Sequence, residues 1–455
     1  RQGYLNFKLK SDFIYRELRS YYQSNFGTKP KSGRVLIEFV SVNPTGPINI
    51  VNGRAAALGD VLKRTFNFVG YQAESEYYIN DAGRQAELLG LSILARVDQL
   101  EGKEFKIPED GYPGEYLIPV AQKYWELYRK RDLTTARDFG VTEMVKMQKA
   151  TLSRFNVIFD HWISERFFYR EGRVAEVVER LKPYLFEKDG AIWFRADKFG
   201  DEKPRVLKTS DGRYTYLVPD LAYHLYKFER GYDLIINIWG PDHHGYISKI
   251  KAGLKALGAE VKKLTILIVQ QVNLKSRDGK VAMSKRGGKF ITLDALLDDI
   301  PLDAIRFFFL MRSPSQPLDF DLDLAKERSQ KNPVYYVQYA HARICSILRF
   351  AKQEGHYGWD DADLGLLNKP EERDLMIELL KFPDIILAVV NKLEPQKLVY
   401  YLIDLATTFH HFYERHRVVS EDRAMSRARL YLVDTLRKVI SKGLDLLGVS
   451  APQEM

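Results

Sequence analysis

The chain has 455 residues, too many for one simple core, which predicts roughly two to four domains. With 45% hydrophobic and 28% charged residues it has a globular composition, and no apolar run is long enough to cross a bilayer. A single cysteine, Cys345, excludes a disulfide framework and a cysteine metal cluster, while the net charge of +9 is compatible with a polyanionic partner.

The first informative stretch is residues 34–62. Residues 35–42 are nearly all apolar and rich in β-branched side chains, which predicts a strand buried on both faces of a parallel sheet. A turn of sequence Asn-Pro-Thr-Gly-Pro follows at 43–47, and after Gly53 the apolar residues recur at helical spacing. Strand, turn and helix N-terminus together predict a phosphate site, because free N–H groups and the positive end of the helix dipole face one spot.

The rest of the chain suggests three regions. Residues 1–33 are expected to be the remnant of an N-terminal domain and a linker helix. Residues 34–332 are expected to form a nucleotide-binding α/β domain, with an insertion at about 90–205 where long helical patterns break the alternation. Strands are expected at 234–239 and 264–269, with a helix at 247–257 between them. Residues 333–455 carry helical apolar stripes and predict an all-α bundle.

Five blocks in order resemble the class I aminoacyl-tRNA synthetases, and specifically the arginyl-tRNA synthetase family. They are residues 41–47 (SVNPTGP), 77–83 (YYINDAG), 216–224 (YLVPDLAYH), 239–246 (WGPDHHGY) and 448–452 (GVSAP). The resemblance implies a Rossmann-type α/β catalytic domain with an insertion, followed by a helical-bundle anticodon-binding domain. It also implies a reaction: arginine attacks the α-phosphorus of ATP, pyrophosphate leaves, and the terminal adenosine of the tRNA accepts the arginyl group.

The resemblance assigns arginine to Glu38, Ser41, Asn43, Tyr216 and Asp220. Glu38 and Asn43 are expected to hold the α-amino end, and Tyr216 and Asp220 the guanidinium, since a carboxylate accepts two parallel bonds from that planar group. Two alternatives stay open. Asp220 can instead cap the helix through residues 223–227, and Glu38 can form a salt bridge at a strand end, because an unpaired carboxylate in an apolar run is costly.

ATP, with Mg²⁺ as its counter-ion, is assigned by the same resemblance to the two halves of the fold. The residues are Pro47, Val51, Gly53, Gly240, Asp242, His243 and Met283. Asp242, after the second-half strand, is expected to be near the ribose. His243 and His244 are adjacent and point in different directions, so one of them is expected to face ligand. No metal-binding residues are assigned, because no Cys or His partners lie at zinc-ligand spacing.

The catalytic signatures of the family are altered. The first, His-x-Gly-His, reads Asn49-Ile50-Val51-Asn52, so two uncharged amides replace the histidines and Val51 is expected to crowd the adenine. The second, Lys-Met-Ser-Lys-Ser, reads Ala-Met-Ser-Lys-Arg at 282–286. The resemblance assigns catalysis to Asn49, Asn52, Ser284 and Lys285, with Lys285 meeting the charge that develops on the phosphates.

Tyr339 and Arg343, in the first helix of the bundle, are expected to contact tRNA by stacking and by binding phosphate; tyrosines at helical spacing are alternatively core residues. The first hypothesis is therefore a cytoplasmic, monomeric arginine–tRNA ligase without membrane association. The second is a synthetase-derived arginine- or tRNA-binding protein with an impaired ATP site. A third, another class I nucleotidyl transferase acting on a small acid, does not explain the long helical C-terminus.

Overall fold

The computed structural model describes residues 9–23, 26, 31–276, 279–280 and 291–455. Its strands are β1 (Arg34–Glu38), β2 (Gln72–Ile79), β3 (His161–Ser164), β4 (Leu185–Lys188), β5 (Ala191–Phe194), β6 (Arg205–Lys208), β7 (Leu234–Trp239), β8 (Leu264–Ile268), β9 (Val272–Ser276), β10 (Gly279–Lys280) and β11 (Leu318–Asp321). Its helices are α1 (Ser11–Gln23), α2 (Ile50–Phe68), α3 (Arg84–Leu100), α4 (Leu117–Tyr128), α5 (Leu133–Arg154), α6 (Glu165–Arg170), α7 (Arg173–Leu181), α8 (Leu217–Glu229), α9 (Ile247–Ala256), α10 (Leu293–Asp299), α11 (Leu302–Leu310), α12 (Leu322–Lys326), α13 (Pro333–Gln353), α14 (Pro370–Leu380), α15 (Phe382–Lys392), α16 (Gln396–Arg415) and α17 (Arg423–Leu447).

A five-stranded parallel sheet in the order β3-β2-β1-β7-β8 forms the centre of the catalytic region. The chain order reverses between β1 and β7, and such a switch point is where open α/β sheets bind ligands. The predicted strand at 234–239 is confirmed by β7, and the strand at 264–269 by β8. The Rossmann-type fold class predicted from the sequence is therefore confirmed.

The first strand ends earlier than its apolar run predicts. β1 stops at Glu38, whereas the pattern predicted a strand through residue 42. The reason is the backbone: Val40 has φ +69° and Ser41 has φ +40°. Both values lie in the left-handed region, which is unfavourable for a β-branched residue and rare outside functional turns. The two residues turn the chain out of the sheet towards the segment 43–47.

The segment predicted as one insertion is divided by a strand of the main sheet. α3, α4 and α5 pack on each other around their own core, which includes Leu89, Ile93 and Tyr124. β3 then pairs in parallel with β2, so residues 161–164 belong to the central sheet rather than to an insertion. A second excursion follows, in which β4, β5 and β6 form a small antiparallel sheet. The apolar residues of β3 carried no period distinguishing them from the surrounding helices.

The helices after residue 333 form the predicted bundle, with α13, α16 and α17 contributing most of its buried side chains. α1 packs on this bundle, and the Tyr15 hydroxyl donates to the Leu367 carbonyl at 2.9 Å. A continuous apolar core joins β1 and α2 to the bundle. Among the described residues, no helix is both long enough and apolar enough to cross a membrane. The domain boundaries proposed from the sequence remain predictions.

Candidate active site

The carboxyl ends of the parallel strands bring several acidic side chains to one edge of the sheet. Glu38 is the last residue of β1, Asp81 follows β2 and Glu165 follows β3. Asp220, in the first turn of α8, is close enough to Glu38 and Glu165 for their charges to act on one another. Of these four carboxylates, the sequence assigned only Glu38 and Asp220 to a site.

Glu38 is buried and forms the salt bridge that was one of its two predicted roles. Its Oε2 lies 2.6 Å from Lys227 Nζ, and its Oε1 accepts a hydrogen bond of 2.9 Å from the Ser41 hydroxyl. Burial acts to raise the pKa of Glu38, but the Lys227 charge and these hydrogen bonds outweigh it and lower the pKa overall. Glu38 is therefore ionised, and the predicted site residue Ser41 helps to hold it.

Asp220 does not cap its helix. The residue before α8 is Tyr216, and it makes no side-chain capping bond, while Asp220 lies within the first turn. Its Oδ2 accepts a hydrogen bond of 2.7 Å from the Tyr246 hydroxyl. Burial, reinforced by the negative charge of Glu38 and opposed by Tyr246 and Lys227, raises the pKa of Asp220 to about 7. The capping alternative is wrong, and none of the cations in the described part of the chain forms an ion pair with this carboxylate.

Glu165 is the principal residue that sequence reasoning missed. It is 5% exposed, at the start of α6. Burial, together with the charges of Asp220 and Asp81, raises the pKa of Glu165 to about 7. Beside it lies the buried hydroxyl of Tyr78, whose hydrogen bonding to the Glu165 carboxyl opposes this rise in pKa. Two buried acids with raised pKa values, and a tyrosine hydroxyl beside one of them, form a pocket suited to a cation.

The helix that carries Asp220 is held by a network of buried side-chain hydrogen bonds. Lys227 Nζ also donates to Asn237 Oδ1 at 3.0 Å, and Asn237 Nδ2 lies 2.7 Å from His224 Nε2. His224 Nδ1 lies 2.7 Å from the Asp220 carbonyl. Burial, and secondarily Lys227, lowers the pKa of His224 to about 3, so this histidine is neutral. This hydrogen-bond network links α8 to β1 and β7 and thereby holds the first turn of α8 in place.

The first signature lies where a helix N-terminus was predicted. Asn49 is the N-cap of α2, and its Oδ1 accepts a hydrogen bond of 2.9 Å from the Asn52 amide. The Asn52 Oδ1 atom is buried and, in the part of the chain that is described, has no partner. Gly53 packs so closely that an added Cβ would lie 2.8 Å from Leu293 Cδ1. Val51 is partly buried and packs against the main core.

The turn at 43–47, which contains Asn43 and Pro47, is held by side chains of the first insertion. Gln148 of α5 is fully buried; its Nε2 donates to the carbonyls of Asn43 at 3.0 Å and Gly46 at 2.9 Å. The Tyr116 hydroxyl donates to the Thr45 carbonyl at 2.6 Å. Three carbonyl groups of the turn, those of residues 43, 45 and 46, are thus held by side chains. No sequence pattern distinguished Gln148 from other helical glutamines.

The residues assigned to ATP in the second half of the fold, after β7, are more exposed to solvent. Gly240 begins the 3-10 segment Pro241–Tyr246, and the Asp242 side chain is 78% exposed, 3.5 Å from His243 Nε2. The His243 ring lies 5.8 Å from the Trp239 ring, and both His243 and His244 are exposed. Tyr216, the residue before α8, is 61% exposed. The predicted positions Ala282, Met283, Ser284 and Lys285 lie outside the described residues.

The two residues predicted to contact tRNA share one face of α13. Tyr339 stacks with His410 of α16, with ring centroids 5.9 Å apart and an interplanar angle of 22°. Arg343 is exposed, and it donates to the Tyr413 hydroxyl at 2.7 Å. Beside Arg343 a groove of about 620 Å³ runs between α13 and the end of α16. Arg343 is thus at the surface, whereas Tyr339 is half-buried against α16, and contact of either residue with tRNA stays a prediction.

The parallel sheet, the two excursions and the helical bundle correspond to a class of proteins. Residues 116–306 match the family model described as tRNA synthetases class I (R), catalytic domain, and residues 337–455 match the DALR anticodon binding domain. The fold and these matches define a class I aminoacyl-tRNA synthetase.

Relatives specify the class further. The arginine–tRNA ligase of Oceanobacillus iheyensis is 42% identical over 468 aligned positions, covering all of this chain and 84% of its own. An arginyl-tRNA synthetase structure from Campylobacter jejuni superimposes with a TM-score of 0.90 at 33% identity, covering 98% of this chain and all of that one. The Thermus thermophilus enzyme gives a TM-score of 0.80 at 26% identity, covering all of this chain and 87% of its own. The chain belongs to the arginine–tRNA ligase family.

Proposed function

We propose that this protein activates arginine with ATP and transfers it to the terminal adenosine of its tRNA. The observation that carries this proposal is the acidic pocket formed by Asp220 and Glu165, with Glu38 beside it. A guanidinium presents several N–H donors in a rigid plane, and two converging carboxylates can accept them in pairs. The family membership agrees with this substrate.

The state of the pocket supports a cationic ligand. The pKa values of Asp220 and Glu165 are both raised to about 7, because each carboxyl is buried and near other acids. A bound guanidinium would stabilise the ionised form of both groups. The Tyr78 hydroxyl, which lies beside the Glu165 carboxyl, can also accept a hydrogen bond from the ligand or donate one to it. We infer that Asn43, Ser41 and Tyr216 surround the rest of the amino acid.

For ATP, we propose that the phosphates lie against the N-terminus of α2, with Asn49, Asn52 and the backbone around Pro47 and Gly53 as neutral donors. Gly240, Asp242 and His243 are proposed for the nucleoside. Met283, Ser284 and Lys285 keep the roles implied by the resemblance. Mg²⁺ is proposed as the counter-ion that accompanies the triphosphate. Among the described residues, no group of three or more His, Cys, Asp or Glu side chains is arranged to hold a metal.

For tRNA, we propose that the surface of α13 and α16 receives the anticodon, with Tyr339 stacking on a base and Arg343 near phosphate. Stacking platforms flanked by arginines are the common way to hold unpaired bases. We also propose that the protein acts as a monomer in the cytoplasm, where its tRNA substrate is used.

Arginine-dependent exchange of pyrophosphate into ATP, with cognate tRNA present, tests this function. The proposal predicts exchange with arginine and none with lysine or citrulline, which lack the guanidinium. Exchange that does not depend on arginine would contradict it. If exchange is absent, the chain with Asn49→His, Val51→Gly, Asn52→His and Ala282→Lys tests whether the altered signatures are the reason.

The alternative, an arginine- or tRNA-binding protein with an impaired ATP site, rests only on those four residues. The relatives described above are all ligases or synthetases, and none of them supports this alternative. Asn49 also serves α2 as a good N-cap, so its replacement of histidine has a structural role that does not require loss of activity.

A further inference from the structure

Arg54 lies on α2, two residues after the first signature, and its environment is unusual for a charged group. The residue is 2% exposed. Its guanidinium donates four hydrogen bonds, all to backbone carbonyls: Gln270 at 3.0 Å, Gln316 at 2.9 Å, Arg312 at 3.2 Å and Ser313 at 2.9 Å. None of the ion pairs found among the described residues includes Arg54. Buried arginines more commonly pair with a carboxylate.

The four carbonyls belong to two segments that meet beside the carboxyl end of the parallel sheet, next to the cleft in which ATP is proposed to bind. Gln270 lies two residues after the end of β8, at the carboxyl end of the parallel sheet, where open α/β sheets bind ligands. Residues 312–316 connect α11 to β11, and the Gln270 amide donates to the Pro314 carbonyl at 2.9 Å. β11 then pairs with β9, and the second signature, residues 282–286, follows shortly after β9 in the sequence. One guanidinium therefore joins α2 to both segments.

The carbonyl cage leaves Arg54 charged. Burial lowers its pKa to about 10, still well above neutral pH. If these hydrogen bonds were lost, a buried charge and four buried carbonyls would lack partners, at a large cost in free energy. The planar fork of the guanidinium therefore holds the two segments at a fixed distance from α2. No pattern in the sequence indicated this role.

We propose that Arg54 is a positioning residue for the ATP step, setting the width of the cleft between the N-terminus of α2 and the strand ends beyond β8. This inference rests on the proposed function. It attributes to Arg54 a role in where the nucleotide lies, not a contact with substrate. The arginine pocket on β1, β3 and α8 is held by other residues, including Lys227 and Asn237, and is not moved by this cage.

The test compares Arg54→Lys and Arg54→Gln with Arg306→Lys. Lysine keeps the charge but cannot reproduce a planar fork, whereas Gln retains one amide donor group. Arg306 is a matched control: it is fully buried, donates to the Leu447 and Phe155 carbonyls, and packs near the same helix, but away from the cleft. Each variant is assayed by pyrophosphate exchange below its own melting temperature, with ATP and arginine varied separately.

We expect both Arg54 variants to lose about 10- to 100-fold in kcat/KM for ATP, the scale of a small misplacement, while KM for arginine stays within about twofold. Arg306→Lys is expected to lower the melting temperature without selective loss for ATP. Wild-type kcat/KM for ATP in Arg54→Lys, or equal losses for ATP and arginine, would overturn the proposal.

A binding measurement separates this proposal from the proposed function. ATP is expected to raise the melting temperature of the unchanged chain and of Arg306→Lys, but by less than half as much in the Arg54 variants. If the unchanged chain shows no exchange, the proposed function fails while this comparison still decides the role of Arg54. An ATP-induced rise that is the same in all variants, or absent from the unchanged chain, would overturn the role of Arg54.

Discussion

At the scale of single residues, the proposed arginine pocket is defined by two carboxyl groups whose pKa values are raised to about 7. Asp220 and Glu165 each sit where burial and neighbouring acids favour the protonated form. Keeping both groups ionised in the free protein lowers its stability unless a cation binds beside them. Pre-arranged acids of this kind are typical of functional sites rather than of structural salt bridges, which lower carboxyl pKa values.

The first prediction concerns Asp220→Asn. The amide cannot offer two anionic oxygens to a guanidinium, and a hydrogen bond to a charged group contributes about 1.5–3 kcal/mol. Arginine affinity, measured by calorimetry, should fall about 10- to 100-fold. Tyr246→Phe is the matched control, since it removes a partner of Asp220 but leaves the carboxylate. Asp220→Asn binding arginine as well as the unchanged chain does would exclude Asp220 from the pocket.

The second prediction is a pH dependence. Ionisation of both carboxyls is required for tight guanidinium binding, so arginine affinity should rise between about pH 6 and pH 8 and binding should release protons. The folded pKa values are raised, so their contribution to the stability of the free protein is present below about pH 4 and is lost as the pH rises through about 7. Calorimetry in buffers of different ionisation enthalpy counts the protons; uptake on binding would contradict the assignment.

At the scale of elements, the first insertion, which contains α3, α4 and α5, holds the turn at 43–47 beside the candidate active site. Gln148 of α5 joins β2 to the turn at 43–47. Its Oε1 accepts a hydrogen bond of 2.9 Å from the Tyr77 hydroxyl, and its Nε2 donates to two carbonyls of the turn. The strained backbone at Val40 and Ser41 enters the same turn. A turn that starts from unfavourable φ values needs neighbours that hold it, and α5 supplies them.

Gln148→Leu provides the third prediction. The change leaves the Asn43 and Gly46 carbonyls and the Tyr77 hydroxyl without this partner, at about 1–3 kcal/mol for each group that stays buried and unsatisfied. Exchange activity should fall through higher KM values for both arginine and ATP, because both ligands are proposed to bind beside the turn. Gln122→Leu, on the exposed face of α4, should leave KM unchanged. Matching kinetics in the two variants would show that the turn does not depend on α5.

Sequence reasoning succeeded where a pattern was local. β7 was predicted with its observed ends, and Asn49 was expected at the start of a helix that it caps. It failed where tertiary contacts decide: nothing local marks Glu165 as a neighbour of Asp220, and the left-handed turn at Val40 interrupts an ideal strand composition. Arg54 resembles any helical arginine until its four carbonyl partners, distant in sequence, are seen.

At the scale of the whole molecule, a buried arginine ties the catalytic region to the bundle. Arg306 of α11 pairs with Asp60 of α2 at 2.5 Å and donates to the Leu447 carbonyl at 3.0 Å. Gly448, with φ +67°, ends α17 here, and an added Cβ would lie 2.3 Å from the Arg306 guanidinium. The end of the bundle is thus packed against the helix that carries the first signature.

The fourth prediction follows for Arg306→Met. Removing one partner of a buried ion pair costs about 3–5 kcal/mol, so the free energy of unfolding in urea should fall by that amount. Arg349→Met, which removes an exposed arginine bonded to the Gln453 carbonyl, should change it by less than about 0.5 kcal/mol. Equal stability of the two variants would show that the junction at Arg306 contributes little.

Transfer of labelled arginine to purified cognate tRNA by the unchanged chain, in the presence of ATP, tests most directly whether this protein charges tRNA with arginine. The acidic pocket and the family membership predict arginyl-tRNA formation that depends on ATP, is not supported by citrulline, and is reduced in parallel with arginine affinity by Asp220→Asn. Charging that persists undiminished in Asp220→Asn, or tRNA that binds but is never charged, would contradict the account.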